Sequence, residues 1–162
     1  MLKIKNIITL LCLVGAVSFG NAQIKKGDSL PSISLKNDKN ATVNLNSFKG
    51  KVVLVDFWAS WCAPCRKANK SLVKLYNQYK NQNFEIVGIS IDTKKEQWLR
   101  AISKDKMTHK QLIDPFNFEA KSAQLFGVDA LPAAYLFDTN GKLVTINPTE
   151  AQIIALIKKN KK

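Results

Sequence analysis

Past its first 22 residues the chain holds only two cysteines, Cys62 and Cys65, and a single histidine, His109. Two thiols cannot build a multi-bridge framework. With one imidazole they also fall short of the four ligands of a structural zinc site, so neither a metal nor another cofactor is expected. Acidic residues are scarce as well, 12 against 25 lysines and arginines, for a formal net charge of +13. That balance invites a nucleic-acid partner. The basic residues, however, are spread along the chain up to the tail Lys158-Lys159-Asn160-Lys161-Lys162, and no stretch interleaves arginines with aromatics as a single-strand platform does. A solvated basic surface is expected and nucleic acid is not; such a surface is compatible with anionic headgroups or acidic partners. Repeats, low-complexity blocks and Pro/Gly/Ser-rich linkers are missing too, so residues 23–162 read as one domain.

What is present starts with Lys3 and Lys5, an uncharged stretch from Ile7 to Phe19, and small residues around Gly20-Asn21-Ala22. This is the pattern of a secretory signal peptide over residues 1–22, cleaved after Ala22; its apolar core is shorter than the roughly 18 to 20 residues of a spanning helix. Cys12 follows Leu10-Leu11 instead of a small residue, so it does not resemble a lipid-attachment cysteine and is expected to leave with the signal. Removing 22 of 162 residues leaves 140, enough to bury a core without bridges or metal. Without Lys3 and Lys5 the charge is still +11, from 23 basic and 12 acidic residues. Export to the periplasm or cell envelope places the remaining thiols where disulfides persist unless something reduces them.

Ser32 to Lys36 and Thr42 to Leu45 are short alternating segments around Asn37-Asp38-Lys39-Asn40 and predict an N-terminal hairpin. Val52 to Ala59 and Phe84 to Ile91 are nearly unbroken apolar runs, the pattern of strands buried on both faces. Between them, Leu72, Val73, Leu75, Tyr76 and Tyr79 recur at helical spacing over Ala63 to about Lys80, with Pro64 suited to the first turn. A second amphipathic helix is predicted over Lys94 to about Lys104, then a short strand over Lys110 to Ile113 and a helix from Glu119 to Phe126 ending at Gly127. A strand over Ala133 to Phe137 turns at Asn140-Gly141 into Leu143 to Ile146, and a helix capped by Thr149 closes the chain. Strands alternating with helices predict an α/β fold whose central sheet has parallel connections.

The chemistry concentrates at Trp61-Cys62-Ala63-Pro64-Cys65. Two cysteines three residues apart in the first turn of a helix have Cα atoms roughly 5 Å apart, within reach of a disulfide that closes and reopens without refolding the domain. Unpaired N–H groups and the macrodipole at a helix N-terminus favour a thiolate, which assigns attack to Cys62 and resolution to the deeper Cys65. A static structural bridge is disfavoured because so short a loop restricts the unfolded chain little. Asp56 interrupts the apolar run six residues earlier; it reads either as a carboxyl of raised pKa that moves a proton to or from Cys65, or as a strand-end residue bonded to a loop or facing solvent. Trp58 is expected in the core and Trp61 as an apolar rim for substrate. His109 has no partner at triad or ligand spacing and is expected at the surface or as a cap. Pro132, judged locally, is a trans strand starter.

The run Val53-Leu54-Val55-Asp56-Phe57-Trp58-Ala59-Ser60-Trp61-Cys62-Ala63-Pro64-Cys65-Arg66, then Val87-Gly88-Ile89-Ser90-Ile91-Asp92, then Phe126-Gly127-Val128 ahead of Leu131-Pro132 and Phe137-Asp138 ahead of Asn140-Gly141-Lys142, resembles the TlpA/ResA-like exported thiol-disulfide oxidoreductases of the thioredoxin superfamily. The match runs from about Gly27 to the C-terminus. It implies a thioredoxin fold, a central mixed sheet flanked by helices with the hairpin as an N-terminal extension. It further implies Cys62 as nucleophile, Cys65 as resolving thiol, Asp56 as the buried acid, a cis Pro132 beside the dithiol, and Leu131 offering backbone groups to a substrate strand, with Trp61, Ala63 and Pro64 on the same surface. A protein-disulfide reductase is expected, monomeric, fed by a membrane thiol donor and acting on disulfide-containing exported proteins, apocytochrome c being one family precedent. The chain departs from the family at Ala68 and Lys70, where many relatives carry Glu and Pro, and at Gly88, near the place of thioredoxin's lysine partner for the buried acid; Asp56 is then left to serve alone. Two rivals are a peroxiredoxin-like peroxidase, against which Ala59 stands in place of that family's Thr, and a non-enzymatic partner-binding module.

Overall fold

A computed structural model describes residues 23–160. The expected signal segment, residues 1–22, lies outside the described residues, as do Cys12 and the last two lysines. The described elements are β1 (Ser34–Asn37), β2 (Thr42–Asn44), β3 (Val52–Trp58), α1 (Ala63–Tyr79), β4 (Phe84–Ser90), α2 (Lys95–Asp105), β5 (Lys110–Ile113), α3 (Lys121–Phe126), β6 (Ala133–Phe137), β7 (Leu143–Ile146) and α4 (Glu150–Lys159), with 3₁₀ turns at Leu45–Phe48 and Asn117–Glu119. They form one seven-stranded mixed sheet in the order β2-β1-β5-β4-β3-β6-β7. Strands β3, β4 and β5 run parallel, joined by α1 and α2, while beyond β3 lies β6, antiparallel to it, and then β7, antiparallel to β6. No helix among the described residues is long and apolar enough to cross a membrane.

Every residue of β3 and β4 is buried, as their nearly unbroken apolar runs require of strands covered on both faces. Val52, Leu54, Phe84 and Ile86 pack against Leu75 and Tyr79 of α1 and Ile153 and Ile157 of α4, while Val53, Val55, Phe57, Val87 and Ile89 belong to the larger cluster with Phe126 of α3. The hairpin forms at the expected place: Asn37 Oδ1 accepts from the N–H groups of Lys39 and Ala41, and Asn40 takes φ 63°. The sequence pattern does not announce its destination, the edge of β5, where Lys36 and Asn37 pair antiparallel with Ile113 and Leu112.

Thr149 caps α4 through a capping box, its hydroxyl accepting from Gln152 N–H while the Gln152 side chain accepts from Thr149 N–H. The helix expected from Glu119 is interrupted: Ala120 is extended (φ −54°, ψ 132°), so a 3₁₀ turn precedes it and α3 begins only at Lys121, where Asp114 accepts from Ser122 N–H. His109 corrects its expectation of a surface or capping role. It is buried, with its ring edge-on to Tyr76 of α1 at 5.8 Å, because the start of β5 lies under that helix.

Candidate active site

β3 ends at Trp58, and three residues of loop lead into the redox motif at the start of α1. Cys62 is the N-cap of α1, with extended backbone (φ −83°, ψ 99°), and its Sγ accepts the N–H of Cys65 at 3.3 Å. Pro64 sits in the first turn, where a missing N–H costs no hydrogen bond. Cys62 and Cys65 form a disulfide, S–S 2.07 Å, with Cα atoms 5.3 Å apart, in agreement with the separation expected from helical geometry. Both are buried in this oxidised form. The N–H aimed at Cys62 Sγ, together with the helix macrodipole, is placed to hold negative charge on that sulfur once the bridge opens.

Of the residues expected at the substrate surface, Trp61 is 53% exposed, Ala63, Pro64 and Pro132 are exposed, and Leu131 is partly buried. The Leu131–Pro132 peptide bond is cis, as the resemblance implied and against the local expectation of a trans strand starter. Trp58 is fully buried and donates from Nε1 to Gln111 Oε1 at 3.0 Å.

Asp56 lies in the middle of β3, 5% exposed. It faces α1: with Leu54, Pro132 and Ala134 it lines a groove of about 380 Å³ that also takes in Ala68, Ser71 and Leu72 of α1 and Asn147 and Pro148 after β7. Ala68 and Leu72 follow Cys65 by three and seven positions and so share its helix face, which puts this groove on the side of α1 that carries Cys65. Burial alone, with no compensating partner, pushes the Asp56 carboxyl up to about 7. Ala68 is one wall of this groove. Gly88, the register partner of Asp56 in β4, lies under the Gln111 side chain, which a Cβ there would have to displace, meeting Gln111 Oε1 at 2.6 Å.

Four features of the site escaped the sequence reading. Asp92 accepts from Ser60 N–H (2.8 Å), Ser60 Oγ (2.6 Å) and Ser90 Oγ (2.7 Å), tying the loop before Cys62 to the end of β4. Arg66, one turn into α1, donates to Ser60 O and through Nε and Nη2 to both oxygens of Asp105 at the end of α2, where Asn69 also donates. Gln111 is buried over Gly88. Phe118, 37% exposed, stands edge-on to Trp61 at 6.4 Å and widens the apolar rim. Only Phe118 had a usable signal, as one of two aromatics, with Phe116, between the polar residues before Ala120. The others each depend on a partner far along the chain: Asp92 on Ser60 across 32 positions, Arg66 on Asp105 across 39 and Gln111 on Trp58 across 53.

Residues 26–146 match the AhpC/TSA family. The thiol-disulfide oxidoreductase ResA of Bacillus subtilis is 26% identical over 145 residues, which cover 86% of this chain and 79% of that one. Among solved structures, the thioredoxin domain of a thiol-disulfide oxidoreductase from Bacteroides vulgatus is 33% identical with a TM-score of 0.75, over 86% of this chain and all (100%) of that one. A thiol-disulfide oxidoreductase from Bacteroides fragilis is 32% identical with a TM-score of 0.74, over 82% of this chain and 98% of that one.

Proposed function

This chain belongs to the AhpC/TSA family and is a thiol-disulfide oxidoreductase of thioredoxin fold, and on that premise we propose that it reduces disulfides of exported proteins through the Cys62/Cys65 couple. The observation that carries the reading is Cys62 Sγ at the N-cap of α1, accepting the Cys65 N–H inside a disulfide that follows directly on the exposed Trp61. The Cys62 thiolate attacks one sulfur of a substrate disulfide and the other sulfur leaves as a thiolate. Cys65 then attacks Cys62 Sγ, releases the second substrate sulfur and closes the bridge, so the substrate gains the two electrons the domain loses. Asp56 accepts the Cys65 proton through the groove it shares with Ala68 and Ser71. The substrate strand runs beside Leu131 and Pro132 and over Trp61, Ala63 and Pro64.

The reducing direction rests on Ala63-Pro64 between the cysteines, where no histidine is present to stabilise a thiolate strongly and make an oxidant. Residues 1–22 serve as the signal and residues 23–162 as a monomeric periplasmic or cell-envelope domain. A membrane thiol donor returns the electrons, and apocytochrome c is a candidate substrate. Cys62→Ser is expected to abolish disulfide reduction, Cys65→Ser to accumulate mixed disulfides in the cell envelope, and the reduction potential to fall well below that of strong oxidants. A potential near roughly −120 mV would overturn the direction. Peroxide-dependent turnover by Cys65→Ser would favour a peroxidase, and normal function of the Cys62→Ser/Cys65→Ser double variant a non-enzymatic module.

A further inference from the structure

Five of the 12 carboxylates, Asp56, Glu85, Asp92, Asp105 and Asp114, are buried, while no lysine or arginine among the described residues is. The surface is therefore more cationic than the composition, and the excess gathers beside the dithiol. Lys67 and Lys70 stand on the exposed side of α1, one and two turns past Ala63, and Arg100 and Lys104 stand one turn apart on the exposed side of α2. With Trp61 and Arg66 these side chains line two adjoining grooves of about 540 and 320 Å³ that start at Ser60 and Trp61. Asp105 is the one carboxylate in their walls, and Arg66 and Asn69 occupy it. Asp92 nearby is taken by Ser60 and Ser90, and Glu96, one turn before Arg100, comes within 4 Å of none of these cations. Lys67, Lys70, Arg100 and Lys104 thus have no ion-pair partner among the described residues.

We propose that this cationic groove selects the substrate: it takes a polypeptide whose residues next to the reducible cystine are acidic, seating them between α1 and α2 while the cystine reaches Cys62. The inference rests on the reductase reading and adds a substrate class to it. Screening limits such attraction to about 10 Å at 0.1 M salt, so the acidic residues must lie close to the cystine in the chain. The two grooves open at Trp61, next to the motif, where acidic residues flanking a cystine held at Cys62 would reach them. Acidic flanks gain rate through encounter, and lysine flanks lose it by like-charge repulsion.

The test uses the reduced protein and three cystine peptides that differ only in flanking residues, aspartate, serine or lysine. Each kcat/KM is divided by the rate on uncharged 2-hydroxyethyl disulfide. The aspartate peptide should exceed the serine peptide by about tenfold at low salt, with the preference vanishing at high salt. Lys70→Gln/Arg100→Gln/Lys104→Gln, which keeps Lys67 near the dithiol, should bring the normalised ratio within about twofold of one. A wild-type ratio near one, or a ratio unchanged in the triple variant, overturns the proposal. Binding to phosphatidylglycerol vesicles that the triple variant loses, without any peptide preference, assigns the groove to membranes and also overturns it. Failure to reduce even 2-hydroxyethyl disulfide removes the reductase reading and this one with it, whereas reduction without discrimination removes this one alone.

Discussion

Asp56 carries its proton about three pH units further than an ordinary aspartate, from 3.8 to about 7, because β3 buries it without a partner. Between those values the folded chain keeps the proton and the unfolded chain releases it. The burial penalty is therefore absent below about pH 4, grows as pH rises, and is complete above about pH 7, at on the order of 4 kcal/mol. Asp56→Asn should accordingly be more stable than the parent at pH 8 and indistinguishable from it at pH 4, as read by urea denaturation at each pH. The same substitution should slow release of the mixed disulfide by about tenfold or more and remove an inflection near pH 7 from its rate. His109 works in the other direction: burial lowers it from 6.5 to about 4, so its contribution is lost as pH falls through that interval, and it cancels between parent and variant. Asp56 was legible because a carboxylate breaks an apolar run. His109 was not, since a neutral imidazole is buried at modest cost and its neighbours Thr108 and Lys110 are polar.

At the level of elements, α1 and α2 follow from apolar spacing, but their mutual attachment does not. Arg66 and Asn69 reach Asp105 across 39 and 36 positions, and with Asp92 on Ser60 they hold the redox loop from both sides. Burial alone would raise the Asp105 carboxyl; hydrogen bonds from Arg66 and Asn69 and the charges of Arg66 and Lys70 outweigh it and hold the group below the usual carboxylate range. A depressed pKa contributes stability above the unfolded value and loses it as pH falls through the folded one. Asp105→Asn should cost about 2 kcal/mol at pH 7, with the difference shrinking once pH drops below about 4, measured as denaturation midpoints across that range. The same partnership explains why Lys70 and Lys104 find no carboxylate of their own: the one within reach is already bound.

For the molecule as a whole, redox state and stability are linked, because the fold either favours the closed bridge or the open dithiol. A reductase holds the disulfide more tightly than the dithiol, so the oxidised form should unfold at higher urea concentration than the reduced form, by about 1 kcal/mol or more. A reduced form that outlasts the oxidised one is the signature of an oxidant and would reverse the proposed direction.

Much of this protein is written in its sequence by itself. Nearly unbroken apolar runs make β3 and β4 central, 3.6-residue spacing makes α1, α2 and α4, and a three-residue separation makes the Cys62–Cys65 bridge, because each depends on neighbours a few positions away. The site's surroundings came only with the folded chain. The hairpin's place on β5, Gln111 over Gly88, the Arg66–Asp105 attachment, Phe118 against Trp61 and the unpaired cations between α1 and α2 all join distant segments. A local pattern records which face of a strand or helix is apolar; it does not record which charge across the fold neutralises which.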